Sequence, residues 1–284
     1  MSVEAIKNGN APLASNSDKK AQAARAAERA ARKPSKLQER LLYLVSPIGL
    51  LLVWQLLLMA GFGDRRFIPA PSDIAVRYYE ELFHGMLLTH IGATVYRAFT
   101  GYLLGAIPAI AMGLLMAMFR PVRIFFDPLI AAIFPIPKVA LMPLLLLALG
   151  FGDASKIALV AIAVFFPVIV NTYAGASNIE KIYWDVAKNY GASQWVMFRR
   201  IVFFGALPMI FAGLRIALAI SFIVLVASEF VASKTGLGYL IWSSWELLQV
   251  DVMFVGIVTI GFIGLIASAL MQELQRWAIP WKAN

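Results

Sequence analysis

Residues 178–201 read NIEKIYWDVAKNYGASQWVMFRRI, and they separate two apolar runs, 157–176 and 203–228, whose only charge is Arg215. At about 1.5 Å per residue, a helical run of some twenty residues spans the roughly 30 Å of a bilayer's hydrocarbon. The segment between them is different in kind. Ile179, Ile182, Tyr183, Val186 and Tyr190 recur at helical spacing, with Glu180, Lys181, Asp185, Lys188 and Asn189 on the other faces. Gly191 permits a turn, and Ser193 is placed to cap a second short helix carrying Trp195, Phe198, Arg199 and Arg200. Connections in compact domains usually run about 4–6 residues, so this one is a structured helix–turn–helix excursion. It is too polar to cross a membrane and apolar enough to dock. Pattern alone leaves two readings: an amphipathic segment resting on the leaflet, or a knob that fits a groove on a partner.

The rest of the chain is membrane-like. Of 284 residues, 61% are hydrophobic and 14% charged, and the mean hydropathy is +0.76. Soluble domains average roughly 45–50% apolar and about 25% charged, so an ordinary soluble enzyme is excluded, as is a disordered chain. There is no cysteine, and His84 and His90 are the only histidines, too few for a multi-histidine metal site. Six runs are long enough to cross: about 41–60, 98–119, 128–150, 157–176, 203–228 and 252–271. Backbone groups in lipid must be satisfied internally, so these runs are predicted to be helices. The expected fold class is an all-α integral membrane protein with six transmembrane helices.

Charge sets the orientation. With the N-terminus inside, the inner side receives nine Lys/Arg of residues 1–40 plus Arg120, Arg123, Lys181, Lys188, Arg199, Arg200, Arg276 and Lys282. The outer side receives Arg65, Arg66, Arg77, Lys156 and Lys234. Seventeen against five predicts N-in, C-in, and puts the 178–201 loop in the cytoplasm. Residues 1–40 form a basic tail, helical over Lys19–Lys33 on propensity, that either lies on anionic headgroups or stays solvated. The high pI belongs mostly to this tail and does not indicate nucleic-acid binding.

Small residues recur every fourth position at Gly101, Gly105, Ala109 and Gly113, and again at Gly213, Ala217 and Ser221. Such ridges let helices approach closely in lipid. Pro135, Pro137 and Pro143 forbid a regular third span, and the break over 134–143 reads as either a tolerated kink or a segment facing a pathway. Arg97, Arg215 and Glu229 lie in or near spans, with Asn171 and Thr172 adding polarity to the fourth. Ionisable groups there are functional candidates, so these five are the candidate substrate-pathway residues. Arg97 or Arg215 suits a small anion, although Arg215 reads more readily as an ion-paired or snorkelling side chain, and Glu229 is expected to close an outer gate or pair with Lys234. Asp127, Asp153, Glu229 and Asp251 look too scattered for a carboxylate pair.

The stretch from Asp185 resembles the EAA loop of bacterial ABC-importer permeases, whose pattern is Glu-Ala-Ala, three residues, Gly, nine residues, then Ile-x-Leu-Pro. Asp185, Val186 and Ala187 occupy the first three places, Gly191 the glycine and Ile201 the isoleucine, while Phe203 and Phe204 stand where Leu-Pro is usual. The chain is similar to the nitrate/sulfonate/taurine/bicarbonate branch of these permeases over roughly residues 67–281. The segments are FIPAPSDI (67–74), DPLIAAIFPIPKVALMPLLLLALGFGDASKI (127–157), FFPVIVNTYAG (165–175), GALPMIFAGLRIAL (205–218) and SEFVASKTGLGYLIW (228–242).

The resemblance implies a transmembrane subunit, a homodimer or heterodimer, in a bacterial inner membrane. Two ATPase subunits would power it and an extracytoplasmic binding protein would deliver the solute. It implies that Asp185, Ala187, Lys188, Gly191, Ile182 and Tyr183 form the coupling helix that meets the ATPase, and that import works by alternating access. No lysine directly follows a glycine, so the phosphate-cradling G-x-x-x-x-G-K-[ST] is absent; ATP and Mg belong to the partner ATPase, and this chain binds no cofactor. An ion-gradient-driven secondary transporter is the alternative, and an intramembrane enzyme lacks a convergent cluster of catalytic groups.

Overall fold

The long apolar runs fold as helices, and prolines and glycines set where they end. The structure is a computed structural model that describes residues 36–281. The basic tail's expected Lys19–Lys33 helix lies outside the described residues. The chain divides into two units, residues 1–63 and 64–284. The first contains α1 (Lys36–Met59), which holds the first expected apolar run and runs on past Pro47. Gly61 (φ 85°) ends it. Gly61 N–H donates to the Leu58 carbonyl (3.2 Å) and Phe62 N–H to that of Leu57 (2.9 Å), the left-handed glycine ending that satisfies a helix's last carbonyls.

The second unit opens with α2 (Pro71–Phe83), started by Pro71 after the buried Ala70 and held by Arg77, which pairs with Glu80, Glu81 and Asp251. Beside it, Arg66 chelates Asp64 and holds that carboxyl below the usual carboxylate range. Then come α3 (Leu87–Met118), α4 (Arg120–Ile133), a short 3-10 turn (Lys138–Leu141) and α5 (Met142–Leu149). After α6 (Asp153–Ser177), α7 (Lys181–Asn189) and α8 (Gln194–Met197), a wider π-type turn (Phe198–Val202) leads into α9 (Phe203–Ala232). α10 (Leu237–Glu246) and α11 (Val250–Ala278) complete it.

Four helical stretches among the described residues are long and apolar enough to cross a membrane: Leu87–Met118, Asp153–Ser177, Gln194–Ala232 and Val250–Ala278. This is an all-α, multi-pass membrane protein. The expected third span is instead two helical pieces, Arg120–Ile133 and Lys138–Leu149, bent by 92° where the proline-rich break was expected. Counting that pair makes five. A sixth requires α1 to cross, and its described apolar part, Val45–Met59, is shorter than a full span. The helix that holds the second expected span begins at Leu87, with His90, Thr94 and Arg97 buried in its first turns.

α6 packs between α3 and α9. Along this trio three buried clusters follow one another. Met142, Leu159, Ala163, Val224 and Ala232 fill one end. Ala106, Ala109, Val164, Ile169 and Ala217 fill the middle. Leu114, Ala176, Val202, Ala206, Ile210 and Ile279 fill the other end. The small-residue ridge of α3 faces α6: a Cβ on Gly101 would lie 2.7 Å from Val160 Cβ, and one on Gly105 would strike the Ala161 carbonyl. On α9, a Cβ on Gly213 would lie 2.7 Å from Asn171 Cβ. In lipid, where burial of apolar surface gives helices no reason to associate, such close backbone contact supplies the attraction.

Candidate functional site

Two regions stand out, one at each end of α9. At its Ala232 end, polar side chains converge from three helices and from the loop that follows α9. His90, Thr94 and Arg97 lie at i, i+4 and i+7 on one face of α3, and all three are buried. The Arg97 guanidinium donates from Nη1 to Glu229 Oε1 (2.7 Å) and to the Thr235 carbonyl (2.7 Å), from Nη2 to Thr235 Oγ1 (2.8 Å), and from Nε to Asp153 Oδ1 (2.7 Å). Ser233 Oγ lies 3.2 Å from Nη1. Every guanidinium nitrogen therefore has an acceptor inside the protein. Glu229 is fully buried; it also accepts from Thr94 Oγ1 (3.0 Å) and the Gly238 N–H (2.9 Å).

The same network caps α10. Its first N–H groups have no intrahelical acceptors. Gly236 N–H donates to His90 Nδ1 (3.1 Å), Leu237 N–H to Thr94 Oγ1 (2.8 Å) and Gly238 N–H to Glu229. A carboxylate at a helix N-terminus also meets the positive end of the helix dipole. Gly236 adopts φ 113°, and a Cβ there or on Gly238 would run into the Glu229 side chain. Lys156, itself buried, donates to the carbonyls of Phe151 (3.1 Å) and Gly152 (3.0 Å), at the start of the helix that supplies Asp153.

Of the candidate pathway residues, Arg97 and Glu229 are thus brought together and the others are not. Glu229 pairs with Arg97 rather than Lys234. Asp153 and Glu229, read as scattered, share one guanidinium. Lys156, counted among loop charges, is buried. Asn171 donates to the Pro167 carbonyl of its own helix (2.8 Å), Thr172 is fully buried against Gly113, and the exposed Arg215 bonds Gln275 Oε1 (2.7 Å), with no carboxylate partner among the described residues. His90, Thr94, Thr235 and Gly236 went unrecognised; a polar stripe at helical spacing within an apolar helix is the signal that marks the first two.

At the other end of α9 the expected excursion is present. Gly191 (φ 68°) ends α7, with its N–H donating to the Lys188 carbonyl (3.0 Å) and Ala192 N–H to that of Ala187 (2.9 Å). Ser193 Oγ accepts from Val196 N–H (3.3 Å) and caps α8. Ile179 and Trp184 pack on the cluster at the base of α9. Ile182, Tyr183, Val186 and Tyr190 do not; they are 49–88% exposed. Asp185 and Lys188 are exposed beside them. Contiguous exposed apolar side chains with a polar rim mark an interaction surface. The bent segment is the third feature. Lys138 Nζ donates to the carbonyls of Ile133 (2.8 Å), Phe134 (3.0 Å) and Ile136 (2.8 Å), and lies 4.3 Å from the centre of the Phe166 ring. It adds a charged donor to the carbonyls at the break, of which that of Ile133 also accepts the Ile136 N–H (3.1 Å).

Residues 101–280 match the family model for the binding-protein-dependent transport system inner membrane component. The chain belongs to that family. It is 32% identical over 235 residues to the putative aliphatic sulfonates transport permease protein SsuC of Escherichia coli (strain K12), covering 83% of this chain and 89% of the relative. It is 30% identical over 237 residues to the taurine transport system permease protein TauC of the same organism, covering 82% and 86%. In fold it resembles a chain of the inward-facing MetNI methionine ABC transporter, with a TM-score of 0.59 at 15% identity, covering 70% of this chain and 98% of that one.

Proposed function

We propose that this family member is the membrane subunit of an ATP-driven, binding-protein-dependent importer in a bacterial inner membrane, taking a small anion such as an alkanesulfonate, taurine, nitrate or bicarbonate. Six spans, N-in and C-in, bring the α7–α8 excursion to the cytoplasm. There Ile182, Tyr183, Ala187 and the Gly191 turn seat in a groove on an ATPase subunit, with Asp185 and Lys188 at the rim. Two permease copies form the pathway, two ATPase subunits supply ATP and Mg chemistry, and an extracytoplasmic protein delivers the solute. The relatives named as sulfonate and taurine permeases support the solute class.

The observation that carries this reading is the exposed stripe on α7, attached by Ile179 and Trp184 to the base of α9. A force applied to α7 passes through the π-type turn into α9, a rod of 30 residues or about 45 Å at 1.5 Å per residue. At its far end that rod carries Glu229. In alternating access, ATP-driven approach of the two α7 helices tilts α9 and separates Glu229 from Arg97, which opens the outer side; hydrolysis resets the pair. The solute biases this cycle only through different affinities for the two states. Arg97 acts here as the outer latch.

The test is co-purification with the cognate ATPase, using wild type, Asp185→Lys and Gly191→Pro. Both variants are expected to insert in the membrane and to lose ATPase association or solute-stimulated ATP hydrolysis. Wild-type coupling in both rejects the docking role. The absence of native cysteine makes single-cysteine labelling direct: a cysteine at Tyr190 must react from the cytoplasmic side.

A further inference from the structure

We propose that a groove between α3, α9 and α11 is a binding site for an anionic phospholipid, with one acyl chain in the groove and the headgroup on Arg215. The groove has a volume of about 530 Å³ and is walled by Phe99 and Tyr102 of α3, Phe222 of α9, and Ile263, Ile266 and Leu274 of α11. Its lining includes two hydroxyls, and both are spent elsewhere. Tyr102 Oη donates to the Leu214 carbonyl (2.8 Å) and Ser221 Oγ to that of Leu218 (2.7 Å). No side-chain donor is left to hold water or a polar solute, so the groove suits hydrocarbon. All three helices are among the stretches long and apolar enough to cross a membrane, so acyl chains have direct access.

Charge at one mouth selects the headgroup. Leu218 and Leu274 line the groove, and Arg215 and Gln275 lie one turn and one residue beyond them. The Arg215–Gln275 bond ties α9 to α11 there, and the guanidinium is exposed. Gln275 is neutral, so among the described residues the positive charge stays uncompensated beside an apolar groove. A phosphate oxygen offers the missing anion and can take two parallel N–H bonds. A phospholipid of net negative charge meets both requirements, whereas a zwitterionic one sets its own cation against Arg215.

Native mass spectrometry of the full-length chain, titrated with phosphatidylglycerol or phosphatidylcholine, reads the preference. One basic residue near a headgroup contributes about 1 kcal/mol, which is about fivefold. Wild type and Arg215→Lys are therefore expected to hold the most tightly retained lipid with about a fivefold preference for phosphatidylglycerol. Arg215→Gln is expected to hold it without preference, and Ala267→Trp, which fills the groove, to lose it. A photo-crosslinking amino acid replacing Ile266 is expected to form a lipid adduct in membranes. Equal retention of both lipids by wild type, an unchanged preference in Arg215→Gln, or an adduct joining Ile266 to a second copy or to another helix overturns the proposal.

Discussion

The Arg97–Glu229 pair makes an asymmetric prediction. Both side chains are buried, at 5% and 0% exposure, so removing either leaves a charge in a low-dielectric site, at a cost of about 3–5 kcal/mol. The two losses differ because their surroundings differ. In Glu229→Met, Arg97 keeps the half-exposed Asp153 at 2.7 Å as counter-ion, so the cost falls near the lower end, about 3 kcal/mol. In Arg97→Met, Glu229 keeps only the Thr94 hydroxyl and the Gly238 N–H. Neither carries charge, and the remaining cation, Lys156, acts on Glu229 only through space because its ammonium is bonded to the Phe151 and Gly152 carbonyls, so the cost falls near the upper end, about 5 kcal/mol. The double variant removes both charges, and its loss should fall short of the sum by about 2 kcal/mol or more. Equilibrium unfolding of the four proteins in mixed micelles, followed by circular dichroism, measures all three differences. A larger loss in Glu229→Met than in Arg97→Met, or additivity within about 0.5 kcal/mol, would refute the reasoning, because either means that the pair is not the buried, coupled element described.

Other outcomes follow from single positions. Gly105→Val places a side chain against the Ala161 backbone carbonyl, which cannot retreat; a loss of about 1–3 kcal/mol is expected in thermal unfolding, while Gly264→Ala, which meets nothing, stays at the wild-type midpoint. Gly191→Ala also enters open space but keeps φ 68°, a left-handed cost of about 1–2 kcal/mol confined to the α7 turn. ATPase affinity should fall with the global melting temperature unchanged, as titration with the ATPase and calorimetry would show. Lys138→Met removes the side-chain donor from three carbonyls at the bend, of which, among the described residues, only that of Ile133 keeps a backbone donor, the Ile136 N–H; charge-assisted bonds contribute roughly 1.5–3 kcal/mol each, so hydrogen exchange over residues 133–142 should accelerate, with partial recovery in Lys138→Arg.

Much of this was legible from local pattern. The α7 turn is an example: Gly191 takes the one left-handed position in that loop and Ser193 caps the next helix, both as residue type and spacing predict. The proline break at 134–143 was likewise visible, though not the 92° bend or the lysine that makes it tolerable. The errors have one source. Arg97, Asp153 and Glu229 are far apart in sequence, and each by itself reads as a span-end charge facing water or solute. Their true partners come from other helices, so one-dimensional spacing could not pair them.

Hydropathy and helical period are properties of consecutive residues. The sequence by itself therefore determined the membrane class, the helical fold and the amphipathic excursion between residues 178 and 201. Which polar groups neutralise one another depends on distances of about 3 Å between helices that only packing creates. The tertiary structure alone decided that Arg97 belongs to Glu229, that α10 starts on three side chains from its neighbours, and that the stripe on α7 is left uncovered. The physical reason is that hydrogen bonds and ion pairs act over a few ångströms, whereas the chain brings those groups together across more than a hundred residues.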